Sequence, residues 1–132
     1  ASLSLAERLA QLHRGILAVI AELRPDAAAA EETFVNKNPA STLKLGQARG
    51  AVLLAASLSG LMVAEYAPRL VKQSLVGTGR ADKDQVGLMV RQLLPGCQAS
   101  QADATDALAV AICHAHHHST ATRILAALER AS

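Results

Sequence analysis

The sequence has few aromatic side chains, only two cysteines and no tryptophan. One phenylalanine and one tyrosine occur among its 132 residues. The core must therefore be built mainly from Ala, Leu and Val, a composition that favours helices packed closely through small side chains. Cys97 and Cys113 lie far apart and form no CxxC pair. This argues against a cysteine zinc site or a disulfide framework and predicts reduced thiols.

Long uncharged apolar runs are also missing, although 51% of the residues are hydrophobic. No run approaches the roughly 20 apolar residues that span a bilayer, and no basic segment precedes an apolar stretch at the N-terminus. We therefore expect a soluble, cytoplasmic protein without membrane association. The net charge of +2 is too small for a uniformly basic surface, so any nucleic-acid site must be a local patch.

The first two predicted elements are a helix and a short strand. Apolar residues recur at helical spacing between Ser4 and Pro25, and Ser4 with Glu7 predicts a capping box. In residues 26–35 the alanines favour a helix, whereas Thr33 and its two successors favour a strand. Propensity alone leaves this segment open, but the turn signals on both sides favour a short buried strand.

Helix caps and turn signals predict the remaining elements. The sequence shows no internal repeat. In chain order they are a helix from Asn38 to about Gly60, a strand over 61–66, a short helix after Pro68, a helix capped by Asp82, a helix over 102–117 and a separate amphipathic helix over 122–130.

Three acidic residues are candidate metal ligands. Asp103 and Asp106 are three residues apart at the start of a predicted helix, which places both carboxylates on one face. The alternative is helix capping with a favourable dipole interaction. Glu31 lies in an apolar strand-like stretch, where a buried carboxylate usually has a partner such as a metal ion. Alternatively, either Glu31 or Glu32 faces solvent, as strand alternation predicts for one of them. Oxygen ligands from separate elements suit Mg²⁺.

Basic residues are scattered through loops and helix starts, where they are either solvated or in contact with a phosphate backbone. Contact with DNA requires them to share a face with the carboxylates. Phe34, next to a polar turn, either stacks on an unpaired base or lies in the core. The candidate DNA-binding residues are Phe34, Lys37, Lys44, Arg49, Arg69, Lys72 and Lys83.

A histidine cluster follows Cys113 and comprises His114, His116, His117 and His118. Spacings of three and four residues are compatible with zinc ligation. No second pair of ligands stands at a suitable spacing elsewhere, however, and a helix end favours cationic histidine through the helix dipole. We therefore interpret the cluster as a solvated or partly ordered helix terminus.

Several motifs together resemble the RuvC family of bacterial Holliday junction resolvases. They are EETFVNKN over 31–38, TLKLGQARG over 42–50, EYAPRLVKQ over 65–73 and ADATDALA over 102–109. The likeness runs in order over nearly the whole chain to about His117. It implies an α/β, RNase H-like fold, in which helices flank a mixed five-stranded sheet. It also implies a symmetric homodimer that acts on four-way junction DNA in recombination and repair, together with branch-migration proteins.

The resemblance assigns roles to individual residues. Glu31, Asp103 and Asp106 match three of the four metal-ligand positions of the family, which implies catalysis with Mg²⁺, or with Mn²⁺ as a substitute. Lys72 and Lys83 match basic positions near the scissile strand. Phe34 matches an aromatic residue that contacts bases at the crossover. The implied reaction is an in-line phosphodiester hydrolysis that needs no protein nucleophile. Glu32 departs from the family, in which glutamine is common at this position.

The fourth ligand is an aspartate in a Gly-Ile-Asp-Pro-Gly strand, and the chain begins after this strand and the two that follow it. We therefore expect a single nuclease domain over 1–132 that lacks the first three family strands, with a C-terminal extension over 119–132. A fragment of an active endonuclease is the favoured interpretation, because the other site residues are present. The alternative is a catalytically inactive, junction-binding dimer.

Overall fold

The computed structural model describes residues 2–32 and 37–131, and these residues fold into two compact units, 1–65 and 66–132. The element order is helix, strand, helix, strand and then three helices. The chain is α/β, as predicted, and the strands described form one sheet of two, β1 and β2. The first unit contains α1 (Leu5–Leu23), β1 (Ala27–Glu31), α2 (Pro39–Leu58) and most of β2 (Met62–Tyr66).

Local side-chain caps fix the first helix. The Ser4 hydroxyl accepts a hydrogen bond from the Glu7 amide at 3.2 Å, and the Glu7 carboxylate accepts one from the Ser4 amide at 2.7 Å. Hydrogen bonding of the Glu7 carboxylate with the Ser4 side chain, and to a smaller extent with the Ser4 amide, lowers the pKa of the Glu7 carboxyl group. The helix ends at Arg24, which adopts a left-handed conformation with φ of 47° before Pro25. The predicted capping box and helix end are therefore confirmed.

The second helix also begins as predicted. The Asn38 side chain accepts hydrogen bonds from the amides of Ala40 and Ser41. Pro39 occupies the first turn, where a backbone amide would have no partner within the helix, so the N–H that proline lacks is not needed. This helix packs against α1. The only fully buried side chains that α2 supplies are the small ones of Ala55 and Ala56. Close packing through alanine is what the composition predicted.

The second unit is a group of three helices, α3 (Pro68–Val76), α4 (Lys83–Leu93) and α5 (Ala102–Ala131), which pack against one another. Asp82 caps α4 through a capping box with Gln85. The core side chains are mostly short and aliphatic, and the buried ones in these helices are Val71, Leu75, Val86, Val90, Ala109, Val110, Ile112 and Cys113. This core anchors the middle of α5 and leaves its beginning exposed.

The prediction of two separate C-terminal helices was wrong, because α5 continues without a break to Ala131. Thr120 lies where the break was predicted and Thr122 at the predicted start of the second helix, and both threonines have modest helix propensity. Their hydroxyls donate hydrogen bonds to the carbonyls of His116 and His118, one turn earlier, at 3.0 and 2.9 Å. Residues 119–131 thus extend the same helix. Within the described ranges, no helix is both long and apolar enough to cross a membrane.

Candidate active site

The start of α5 presents two carboxylates one turn apart. The carbonyl of Gln101 accepts hydrogen bonds from both the amide and the hydroxyl of Thr105, which holds the first turn. Asp103 is exposed in this turn, and Asp106 is half-buried in the next. From Ala109 onwards the helix enters the core of the second unit. A helix whose middle is buried therefore carries the acidic pair at its exposed end.

Lys83 is the cation placed beside this pair. It is the first residue of α4, directly after the capping residue Asp82. Its ammonium nitrogen lies 3.7 Å from Oδ2 of Asp106. The Lys83 side chain is 81% exposed and that of Asp106 is 47% exposed, so the pair is open to solvent and to a ligand. The structure thus brings together Asp103, Asp106 and Lys83, three of the predicted site residues.

Glu31 is the last residue of β1, and it is exposed. Of the two alternatives for Glu31, the buried one is therefore wrong and the solvent-facing one is confirmed, and Glu32 is the less exposed of the two glutamates. Arg49 of α2 reaches the end of the strand, where its Nε donates a hydrogen bond to the Glu31 carbonyl at 3.4 Å. The same guanidinium forms an ion pair with Glu65 of β2. The sequence analysis did not identify Glu65, although this residue begins one of the quoted motifs.

The other basic candidates lie on exposed or half-exposed surface. Lys37 and Lys44 are exposed in the first unit, Arg69 is exposed on α3, and Lys72 is half-buried on the same helix. Phe34 lies outside the described residues. Among the residues that are described, no group of three His, Cys, Asp or Glu side chains is arranged to hold a metal ion. The acidic pair of α5 therefore offers two ligands of the three predicted.

The histidine cluster is not a helix terminus, because α5 runs on past it. The interpretation as a solvated terminus was therefore wrong for its half-buried members, which pack on Tyr66. The Tyr66 hydroxyl lies 2.7 Å from Nδ1 of His114, and the tyrosine ring stacks on that of His117 at 5.2 Å. His116 Nδ1 lies 3.0 Å from the Ser74 hydroxyl. These contacts join α5 to the end of β2 and to α3.

Burial changes the chemistry of two groups near the cluster. It raises the pKa of the Tyr66 phenol, an effect that the nearby Cys113 strengthens. Burial also raises the pKa of the Cys113 thiol, against a smaller opposing effect of its hydrogen bond with Ser74. Both groups are therefore protonated at neutral pH. They serve the packing of the second unit and supply no nucleophile.

Comparison with known proteins assigns the family. The sequence model described as "Crossover junction endodeoxyribonuclease RuvC" matches residues 1–114. The protein of that name from Paramagnetospirillum magneticum is 69% identical over 130 residues, which cover 98% of this chain and 78% of the relative. The one from Rhodospirillum rubrum is 65% identical over 129 residues, which cover 98% and 75%.

Solved structures agree with this assignment. A structure described as "Thermus thermophilus RuvC structure" superposes with a TM-score of 0.79 at 39% identity, and it covers 91% of this chain and 73% of that one. A second, "T. thermophilus RuvC in complex with Holliday junction substrate", gives a TM-score of 0.84 at 40% identity with the same coverage. The chain belongs to the RuvC family of crossover junction endodeoxyribonucleases.

Proposed function

We propose that this protein is a structure-specific endonuclease that resolves Holliday junctions by metal-dependent hydrolysis of paired phosphodiester bonds. One observation carries the proposal: α5 presents Asp103 and Asp106 one turn apart at its exposed end, with the ammonium of Lys83 3.7 Å from Asp106. Carboxylates beside a cation on an open surface suit a phosphate substrate, and the family membership gives that substrate as junction DNA.

The donor atoms at this site fit a hard divalent cation. Both ligands offered by α5 are carboxylates on exposed or half-exposed surface, and Mg²⁺ binds through one or two carboxylates while keeping several waters for the substrate phosphate. We propose Mg²⁺ as the ion, with Mn²⁺ as a substitute because it prefers the same oxygen ligands. Glu31 is the proposed third ligand. When bound, the ion would stabilise the charge that develops during in-line displacement at phosphorus.

The chain's own residues have separate tasks in this proposal. Asp103 and Asp106 hold the ion, and Lys83 offsets their negative charge, which would otherwise repel the DNA backbone. The basic residues contact phosphates, which gives affinity without sequence preference. Phe34 stacks on a base at the crossover. The proposed phosphate contacts are Lys37, Lys44, Arg69, Lys72 and Lys83.

A symmetric homodimer would place two such sites on opposing strands and so produce paired cuts. The first unit carries a surface suited to this assembly. Small or apolar residues spaced three or four apart along α2 form an exposed stripe, and the glycines in it have open space where a side chain would stand. The stripe consists of Leu43, Gly46, Gly50, Leu54 and Leu58. Branch-migration proteins are proposed partners of the assembled dimer.

Dimerisation is tested by sedimentation equilibrium of the unaltered protein and of Leu54→Glu. A charge in the middle of the stripe should convert the dimer to a monomer, because a buried unpaired carboxylate is unfavourable. Leu125→Glu, which changes another exposed leucine on α5, provides the control and should leave the dimer intact. A monomeric unaltered protein would contradict the proposed assembly.

The nuclease function is tested with a synthetic four-way junction and Mg²⁺, using the unaltered protein and its Asp106→Asn variant. We expect the unaltered protein to produce paired nicks and the variant to bind the junction without cutting it. Asp84→Asn, which changes an exposed aspartate in the first turn of α4, is the control and should cut normally. An unaltered protein that shifts the junction in a gel but never nicks it would support the inactive junction-binding dimer instead.

A further inference from the structure

The guanidinium of Arg49 contacts two protein groups at once, a main-chain carbonyl and a carboxylate. Arg49 lies in the middle of α2, and its head group reaches the ends of both strands of the sheet. Nε donates to the carbonyl of Glu31 at 3.4 Å, and a terminal nitrogen forms an ion pair with Oε1 of Glu65. The Arg49 side chain is 25% exposed, against 81% for Lys83.

This arrangement is poorly suited to binding a DNA phosphate. The carboxylate of Glu65 already offsets the charge of Arg49, and the two donors that form these contacts are directed at protein oxygens. A phosphate could be contacted only through the remaining N–H donors of the guanidinium, beside the negative charge of Glu65. The planar guanidinium is well suited to holding two protein groups in fixed positions, because its rigidly arranged donors can bind two acceptors at once.

The backbone that Arg49 contacts belongs to the proposed metal ligand. Glu31 ends β1, so its main chain lies where the sheet gives way to the following segment. Catalytic groups must be held within about 0.5 Å of their productive position, and the ends of secondary-structure elements meet this demand only when other contacts hold them. The hydrogen bond from Arg49 to the Glu31 carbonyl is such a contact, and Glu65 fixes the arginine that makes it.

We propose that Arg49 and Glu65 form a clamp that fixes the end of β1 and thereby orients the carboxylate of Glu31 for metal binding. Arg49 is then a positioning residue and not a phosphate contact, and Glu65 is part of the same device. The inference rests on the proposed function, in which Glu31 is a metal ligand. It assigns a task to two residues that touch neither the DNA nor the metal ion.

The test compares Arg49→Met, Glu65→Gln and the double variant with the unaltered protein. We expect kcat on a four-way junction to fall about 10- to 100-fold in each single variant, the range expected when a reacting group is misplaced by up to an ångström. The double variant should be no slower than the slower single variant, because the two residues act as one unit. The Kd for the junction and its salt dependence should stay unchanged.

Two further measurements separate positioning from a merely structural role. Calorimetric titration with Mn²⁺ in the absence of DNA should show weaker cation binding in both single variants, with unchanged melting temperatures in Glu65→Gln. Arg49→Lys keeps the charge but lacks the guanidinium geometry, so it should not restore kcat. Arg14→Met removes an exposed arginine of α1 and should change none of these quantities. If Arg49→Met fails to fold, the kcat and Mn²⁺ affinity of Glu65→Gln still test the proposal.

Two results would overturn the clamp. One is an unchanged kcat and unchanged Mn²⁺ affinity in Glu65→Gln. The other is weaker junction binding with a lower salt dependence in Arg49→Met alone, which would make Arg49 a phosphate contact. Failure of the unaltered protein to cut junctions would remove the nuclease function but not the clamp, because the Mn²⁺ titration requires neither DNA nor cleavage.

Discussion

The ammonium of Lys83, at the start of α4, lies 3.7 Å from a carboxylate oxygen of Asp106, near the start of α5. The pair is open to solvent, so its contribution to folding is small, about 0.2 to 1 kcal/mol for exposed pairs in general. The pair is expected to matter for ligand binding at the proposed site. In the proposed site, a cation bound by Asp106 would compete with Lys83 for the same oxygens, and bound DNA would compete with Asp106 for the lysine.

Replacing Lys83 with Gln should therefore act on both ligands in opposite directions. Junction affinity should fall. The plot of log K against the logarithm of the salt concentration should become less steep by roughly 0.9, the contribution of one phosphate contact. Mn²⁺ binding without DNA should strengthen, because the competing ammonium is gone. Fluorescence anisotropy at several salt concentrations and calorimetry provide the two readouts. Arg123→Gln, an exposed residue far along α5, is the control, and equal effects in both variants would contradict the assignment.

Tyr66 should contribute to stability through its hydroxyl as well as its ring. Tyr66→Phe removes the 2.7 Å contact with His114 and keeps the ring that stacks on His117. We expect a loss of about 1 kcal/mol in the free energy of unfolding, as for other half-buried hydrogen bonds. Tyr66→Leu should cost more, because it also removes the stacking. Urea denaturation measures both, and a Tyr66→Phe midpoint equal to that of the unaltered protein would refute the role of the hydroxyl.

The two thiols should differ in reactivity. Cys113 is fully buried and its thiol pKa is raised by burial, so little thiolate forms at pH 8, whereas Cys97 is partly exposed. A disulfide reagent should modify one thiol quickly in the native protein and the second only on unfolding. A raised folded-state pKa stabilises the fold below the unfolded thiol pKa of about 8.5, and this contribution is lost as the pH rises through the folded value. Rapid modification of both thiols would contradict this prediction.

A methyl group at Gly79 would overlap the stem of the exposed Arg69 side chain, which must move to make room. Gly79→Ala is expected to lower the free energy of unfolding by about 0.5 to 1.5 kcal/mol, the cost of forcing a side chain off its preferred rotamer. Gly15→Ala, on a helix with open space around the added methyl group, is the control and should be neutral or stabilising. Combining Gly79→Ala with Arg69→Ala should restore the stability, and a double variant as unstable as Gly79→Ala alone would show another cause.

The elements of this fold were largely predictable because their signals are short-range. Ser4, Asn38 and Asp82 each cap the helix predicted for them, through bonds to residues two or three positions ahead. The strand at residues 27–31 was resolved from an ambiguous alanine segment by its flanking turn signals. The break expected after His117 was wrong, because threonine hydroxyls that bond back to the previous turn are compatible with a continuous helix.

The candidate site was predictable only in part. The spacing of Asp103 and Asp106 predicted a shared helix face, and the resemblance directed attention to Lys83. The sequence left open whether Glu31 is buried or exposed, because an apolar strand sequence does not say where the strand ends. The partners of the histidines were not predicted either, since each histidine had several polar groups as candidates along the chain.

The sequence by itself determined most of the helices, the two strands and the acidic pair, because each of these depends mainly on residues within a turn or two of one another. Only the tertiary structure decided that Arg49 pairs with Glu65, 16 residues away, and Tyr66 with His114, 48 residues away. The physical reason is that an ion pair or hydrogen bond is specified by position in space. Many charged and polar residues of this chain are chemically equivalent partners until folding excludes all but one.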